Sequence, residues 1–159
     1  MTDRIFTFGY EGLSLETFIR RLKVAGIKTV LDVRATPLSR KRGFSKRAFS
    51  SALQSTGIAY AHLPAVGCPR DIRNQYKRDA DWSAYTCAFL AYLKGQSGTL
   101  LEIAVTAAGS PSCLVCFEAD FNRCHRTYVA RAAAQLGDLR VAHLTDQTEL
   151  ADAAVRSAA

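Results

Sequence analysis

KTVLDV, residues 28–33, is the stretch that decides the fold. It is a near-continuous apolar run, the pattern of a strand covered on both faces. Such a strand belongs to a parallel sheet flanked by helices, and the sequence on either side supplies the rest. Upstream, Arg4–Gly9 (RIFTFG) alternates and predicts a strand. Gly9 and Gly12 bracket a turn. Ser14 is then a good N-cap for a helix carrying Leu15, Phe18, Ile19 and Leu22, ended by Gly26. Downstream, a loop broken by Pro37 and Gly43 leads to a helix capped by Ser45, carrying Ala48, Phe49, Ala52 and Leu53, and stopped by Gly57. Ile58–Leu63 predicts a third strand. Residues 64–81 read as irregular.

Two helices follow, Trp82–Lys94 and Thr99–Ala108, separated by a Gly95–Gly98 break. Ser112–Phe117 (SCLVCF) predicts a fourth strand and Leu139–Leu144 a fifth. Between them runs an alanine-rich helix, Arg123 to Leu136, stopped by Gly137. The tail from Asp146 reads as a short fraying helix. Strands alternating with helices imply right-handed crossovers. The expectation is an α/β single domain over residues 1–159, with a mostly parallel sheet of about five strands flanked by helices.

The 159 residues are 48% hydrophobic and 22% charged, a globular composition. No apolar run approaches the ~20 residues of a membrane span. The start, Met1-Thr2-Asp3-Arg4, lacks the pattern of a secretory signal. The odd count of five cysteines argues against a disulfide framework. These features together predict a cytoplasmic location. The net charge of +7 is local in origin. Residues 33–70 hold Arg34, Arg40, Lys41, Arg42, Lys46, Arg47 and Arg70 and no Asp or Glu. Elsewhere the charges balance. That segment is either a solvated basic loop or a field that recruits an anionic partner.

Ligands of open parallel sheets bind beyond the carboxyl ends of the strands. The predicted ends carry Tyr10 and Glu11, Asp32 and Arg34, His62, Cys116 and Glu118, and His143. The densest group is Cys116-Phe-Glu118-Ala-Asp120-Phe-Asn122-Arg123-Cys124-His125-Arg126-Thr127, where a strand hands over to a helix. A helix start binds anions through its free N–H groups and dipole. Arg123 and Arg126 there need a compensating partner, either a bound anion or Glu118 or Asp120. Cys116 is a thiolate candidate beside those arginines or an inert buried thiol. Cys113 and Cys116 lie three apart on a strand, so they face opposite sides and cannot share an ion. Cys116, Cys124 and His125 could, with His62 or His143 as a fourth ligand. The spacing lacks the tight knuckle of a zinc site, so no metal and no cofactor are expected.

The stretches FGYEG, LDVRATPLSR followed by FS, YAHLP with VG, and CFEADFNRCHR resemble the domain-of-unknown-function 488 family, in order along nearly the whole chain. The resemblance implies a small cytoplasmic α/β domain and brings no established reaction. It marks Gly9, Tyr10, Asp32, Arg34, Pro37, Ser39, Arg40, Cys116, Glu118, Cys124, His125 and Arg126. A weaker likeness joins Leu31–Arg34 and Cys116 to rhodanese-type domains. The loop from Phe117 to Arg126 lacks their glycine-containing cradle.

The functional expectation is an enzyme acting on a phosphate-bearing substrate, a nucleotide or nucleic acid. Arg34, Arg40, Arg123 and Arg126 would clamp phosphate, with Tyr10, Ser39 and His62 lining the substrate site. Glu118, His125 or Asp32 would be general acid or base, and Cys116 nucleophile or wall. Asp32 could instead be an ion pair with Arg34 or Arg126. The alternatives are a non-catalytic nucleic-acid module, with Phe44, Phe49, Tyr60 and His62 as base-stackers and Phe49 more simply core, or thiol and sulfur-transfer chemistry at Cys116 and Cys124.

Overall fold

Thr29–Asp32 is the second strand of a six-stranded sheet in the computed structural model, which describes residues 1–153. The strands are β1 (Arg4–Gly9), β2 (Thr29–Asp32), β3 (Ala59–His62), β4 (Ser112–Cys116), β5 (Arg140–Leu144) and β6 (Glu149–Ala151). The helices are α1 (Leu15–Val24), α2 (Lys46–Ser55), α3 (Arg70–Asp79), α4 (Trp82–Leu93), α5 (Ser97–Gly109) and α6 (His125–Gly137). The sheet order is β3-β2-β4-β1-β5-β6. All neighbours run parallel except β6, which is antiparallel to β5.

Each face of the sheet has its own core. Phe6, Phe8 and Tyr10 pack with Phe18 and Leu22 of α1 and Phe49 and Leu53 of α2. On the other face Ile5, Leu31, Leu114 and Cys116 pack with Phe89 of α4, Ile103 of α5 and Val129 and Ala133 of α6. Cys113 belongs to the first core and Cys116 to the second, as strand alternation requires. The chain therefore leaves β1 and β2 toward one face and leaves β4, which lies between them, toward the other. That divergence opens a crevice at the carboxyl end of β4.

Local chemistry sets the element ends. Ser14 caps α1, its hydroxyl accepting from the Thr17 N–H at 3.1 Å. Ser45 stands at the N-cap of α2, but its hydroxyl is used elsewhere. It accepts from the Ser39 N–H at 3.0 Å and donates to the Ser39 carbonyl at 3.2 Å, folding the basic loop onto the helix start.

Two stretches differ from the sequence expectation. Residues 64–81 are not irregular, since Pro64–Val66 is a 3-10 turn and Arg70–Asp79 is α3. No residue of α3 is fully buried, and its inward side rests on Ile72 and Tyr76 one turn apart. With only these two apolar residues in a strongly charged segment, RDIRNQYKRD reads as a polar loop although it is amphipathic. The tail is not helical over Glu149–Ala151. A turn in which the Thr148 N–H donates to the Thr145 hydroxyl at 2.9 Å returns the chain as edge strand β6. Residues 146–148 form that turn, and residues 154–159 of the predicted helix lie outside the described residues. No helix among the described residues is long and apolar enough to cross a membrane.

Candidate functional site

The end of β4 is tied to the continuation of β1. The Tyr10 N–H donates to the Cys116 carbonyl at 3.1 Å and the Glu11 N–H to the Phe117 carbonyl at 2.8 Å. The Glu11 carboxylate accepts from the Ala119 N–H at 3.0 Å. Gly9 makes this approach possible. A Cβ there would stand 1.7 Å from the Glu118 carbonyl oxygen, far inside van der Waals contact. Arg126, one residue into α6, donates from Nη1 to the same carbonyl at 2.5 Å. It is fully buried, and its Nε and Nη2 have no partner among the described residues. This corrects its expected place in a phosphate clamp, because Arg126 braces the turn from beneath and does not line the cavity.

The end of β2 is a second fixed assembly. Asp32 is fully buried and takes Arg34 in a two-point ion pair, Nε to Oδ1 at 2.9 Å and Nη2 to Oδ2 at 2.7 Å. The Tyr60 hydroxyl donates to Oδ2 at 2.6 Å. Arg34 Nη1 donates to the Tyr10 hydroxyl at 3.0 Å and to the Phe44 carbonyl at 2.7 Å. His62 donates from Nε2 to the Arg34 carbonyl at 2.7 Å. Of the two ion pairs open to Asp32, the structure has the one with Arg34. Asp32 and His62 lie off the cavity wall, while Arg34 reaches it with most of its N–H groups already engaged.

Where the carboxyl end of β4 meets the start of α6, four polar side chains converge. Glu118 Oε2 lies 3.4 Å from Cys116 Sγ and 3.3 Å from Cys124 Sγ. His125 Nδ1 lies 3.9 Å from the first sulfur and 4.0 Å from the second. Its Nε2 is 2.8 Å from the Val33 carbonyl, an acceptor only, so that nitrogen carries a proton. The hydrogen bond to Cys124, and then burial, push the Cys116 thiol well above its usual range. Burial opposes the Cys124 thiolate as well. The hydrogen bond from Cys116 together with Arg126 and His125 outweighs it, so Cys124 ionises first. Burial also disfavours a charged His125, but Cys124 and the Val33 carbonyl hold its pKa above the ordinary value. Burial, reinforced by Cys124, raises the Glu118 carboxyl.

Above this floor opens a cavity of about 830 Å³. Arg40 and Lys41 reach it from the loop after β2, Arg73 and Lys77 from α3, and Arg123 from the turn before α6. Glu118 is the only carboxylate on its lining among the described residues. None of those five cations has a carboxylate partner among the described residues. Arg73 Nε is buried without a hydrogen-bond partner among the described residues. One wall is aromatic. Trp82 stacks on Tyr85 at 4.5 Å between ring centres, Tyr76 meets Trp82 edge-on at 5.4 Å, and Arg123 lies over Trp82 at 5.7 Å. Phe117 lines the cavity too and packs edge-on against Tyr10 at 5.4 Å.

The cavity thus gathers Tyr10, Arg34, Ser39, Arg40, Cys116, Glu118, Arg123 and His125 of the sequence-predicted set. His143 is elsewhere, buried in β5 with Nδ1 2.7 Å from the Thr7 hydroxyl. The expected base-stackers are otherwise employed. Phe44 and Phe49 are fully buried core, and Tyr60 is bound to Asp32. Sequence reasoning missed Arg73, Tyr76, Lys77 and Trp82 as site residues. The available signal is the run of cations around Tyr76 between Arg70 and Asp81, which reads as an irregular connection, followed at once by Trp82 at the start of the next predicted helix.

No curated protein and no solved structure matches the chain. One family model, described as "Domain of unknown function DUF488", matches residues 14–133.

Proposed function

The chain belongs to the DUF488 family, and from its site we propose that it is an enzyme acting on a nucleotide, free or splayed out of a nucleic-acid strand. The observation that carries this reading is one cavity joining unpaired cations, an aromatic wall and a buried polar floor. Phosphate is bound by Arg40, Lys41, Arg73, Lys77 and Arg123, none of which forms a salt bridge with a carboxylate among the described residues. The base stacks on Trp82 or Tyr76, as any nucleobase can on an aromatic face. A concave cavity of this size accommodates one nucleotide.

Glu118 is the group at the floor that moves a proton to or from the substrate. It stands on a turn fixed by Gly9, Glu11 and Arg126, which preorganises it. Asp32 is a positioning residue that fixes Arg34 and, through it, Tyr10. His125 is bound on Nε2 and turns Nδ1 to the sulfurs, so it is not the free base. The five cysteines are all free thiols, which fits work in a reducing compartment such as the cytoplasm.

Panels of nucleotides and short oligonucleotides, assayed for turnover, test this. A substrate is expected whose turnover falls about 10²-fold or more in Glu118→Gln while its binding persists. Turnover that survives this change removes Glu118 from the chemistry. Absence of binding by every nucleotide, even at low salt, removes the whole reading.

A further inference from the structure

Cys116 Sγ, Cys124 Sγ and His125 Nδ1 all lie within 4.8 Å of one another, and all three residues are buried. We infer that these three atoms hold a zinc-class divalent ion at the floor of the cavity. This goes beyond the nucleotide reading and does not depend on it.

The spacing is the first reason. Zinc bonds of about 2.3 Å to sulfur and about 2.0–2.1 Å to nitrogen place tetrahedral ligands about 3.6 Å apart. The sulfur-to-Nδ1 distances of 3.9 and 4.0 Å are within a few tenths of that, yet long for S–H···N hydrogen bonds. The two sulfurs lie within 4.8 Å of each other, against about 3.8 Å for two thiolates on one tetrahedral zinc, so closing the site draws the cysteines together by up to about 1 Å.

The orientation of the imidazole is the second reason. Nε2 donates to the Val33 carbonyl at 2.8 Å, which aims Nδ1 at the two sulfurs. A ring N–H held by a backbone carbonyl while the other nitrogen ligates is the usual arrangement around metal-bound histidine. Phe89 packs edge-on against the same ring at 5.4 Å and fixes its plane.

Charge and access agree. Two thiolates, the Glu118 carboxylate, the Arg126 guanidinium and a divalent ion cancel in formal charge, a condition for burying them together. Cys116, Cys124 and His125 all line the cavity, so the fourth position opens there to water, beside Glu118. Three protein ligands with one open position are the pattern of a catalytic rather than a structural zinc site. Mixed thiolate and imidazole ligation selects zinc over the hard cations. The sequence expectation is of no metal, because the spacing lacks a zinc knuckle; the strand geometry supports only the exclusion of the Cys113–Cys116 pair, whose members face opposite cores. The ion uses Cys116 with the start of α6 instead.

The test is metal analysis of the intact chain, produced with zinc in the medium, followed by exchange to Co²⁺ as a spectroscopic stand-in. One zinc ion per chain and a Co²⁺ spectrum with thiolate charge-transfer bands are expected. Metal should be lost in Cys116→Ser, Cys124→Ser and His125→Gln and kept in Cys87→Ser, a change at an exposed cysteine. If the ligand variants fail to fold, the wild-type Co²⁺ spectrum decides by itself through the thiolates it reports. Reduced protein that binds neither ion, or Co²⁺ bound without thiolate bands, overturns the inference. Nucleotide titration of the metal-stripped protein reads the phosphate rim separately, so either idea can fail alone.

Discussion

Gly9 shows how much of the site hangs on a missing side chain. Its Cβ position is occupied by the Glu118 carbonyl at 1.7 Å, and that carbonyl also receives Arg126. Gly9→Ala must push the 117–119 turn outward, so a loss of about 1–3 kcal/mol or more is expected, read as a lower urea midpoint. Asp32 makes a second test. It is fully buried and satisfies Arg34 at two points, so Asp32→Asn leaves a buried guanidinium with a weakened partner. A cost of about 3–5 kcal/mol is expected in the same denaturation experiment, against about 0.5 kcal/mol or less for Arg40→Ala at the exposed rim. The sequence made Glu118 and Cys116 legible because a buried strand and the helix after it fix where such residues emerge. It left Asp32 undecided because a carboxylate at a strand end serves catalysis and ion pairing equally well. It misdirected Arg126 because residue order near a helix start does not say whether a long cation turns outward or back under the turn.

The strands were readable because four of the five predicted ones are half or fully buried and their apolar character follows from that. Helix α3 and strand β6 were not, for the opposite reason. The first buries no whole side chain, and the second is three exposed residues on an edge. Both carry consequences. Arg73, Tyr76 and Lys77 of α3 supply one side of the cavity. The end of β6 brings Asp152 to β5 and α6, where it pairs with Arg131 at 2.8 Å and approaches His143 Nε2 at 3.2 Å. His143 is faced by Thr7 of β1, by Asp152, by Arg126 and Arg131 of α6, and by the Phe121 ring at 3.9 Å. Burial lowers its pKa, and Asp152 only partly offsets that. A histidine depressed in the folded state leaves the unfolded chain binding more protons below its ordinary pKa. Stability should therefore decline as pH falls from about 6.5, and this part of the decline should vanish in His143→Gln. Asp152 is depressed despite burial, chiefly by Arg131 and then His143. Its contribution holds above its unfolded pKa of about 3.9 and is lost only at more acid pH. Melting temperatures of both proteins between pH 7.5 and 4.5 check the sign.

Across the whole molecule, the sheet order determines where chemistry can occur. Strand β4 stands between two strands whose connections leave on the opposite face, and the cavity opens at its end. The surplus of positive charge was visible in residues 33–70, but its use was not. Of its seven cations only Arg34, Arg40 and Lys41 reach the cavity, and Arg34 is held by Asp32. The other rim charges come from α3 and from the turn before α6, distant in sequence and brought together by the fold. Lys46 and Arg47 gather on a shallow basic face of α2 instead, a competing place for phosphate. A crystal structure of the protein with a bound mononucleotide separates the two. The phosphate is expected against Arg73 and at least one of Arg40, Lys41 and Arg123, with the base on Trp82 or Tyr76. A nucleotide seated on α2, or a cavity left empty at saturating nucleotide, would contradict the assignment.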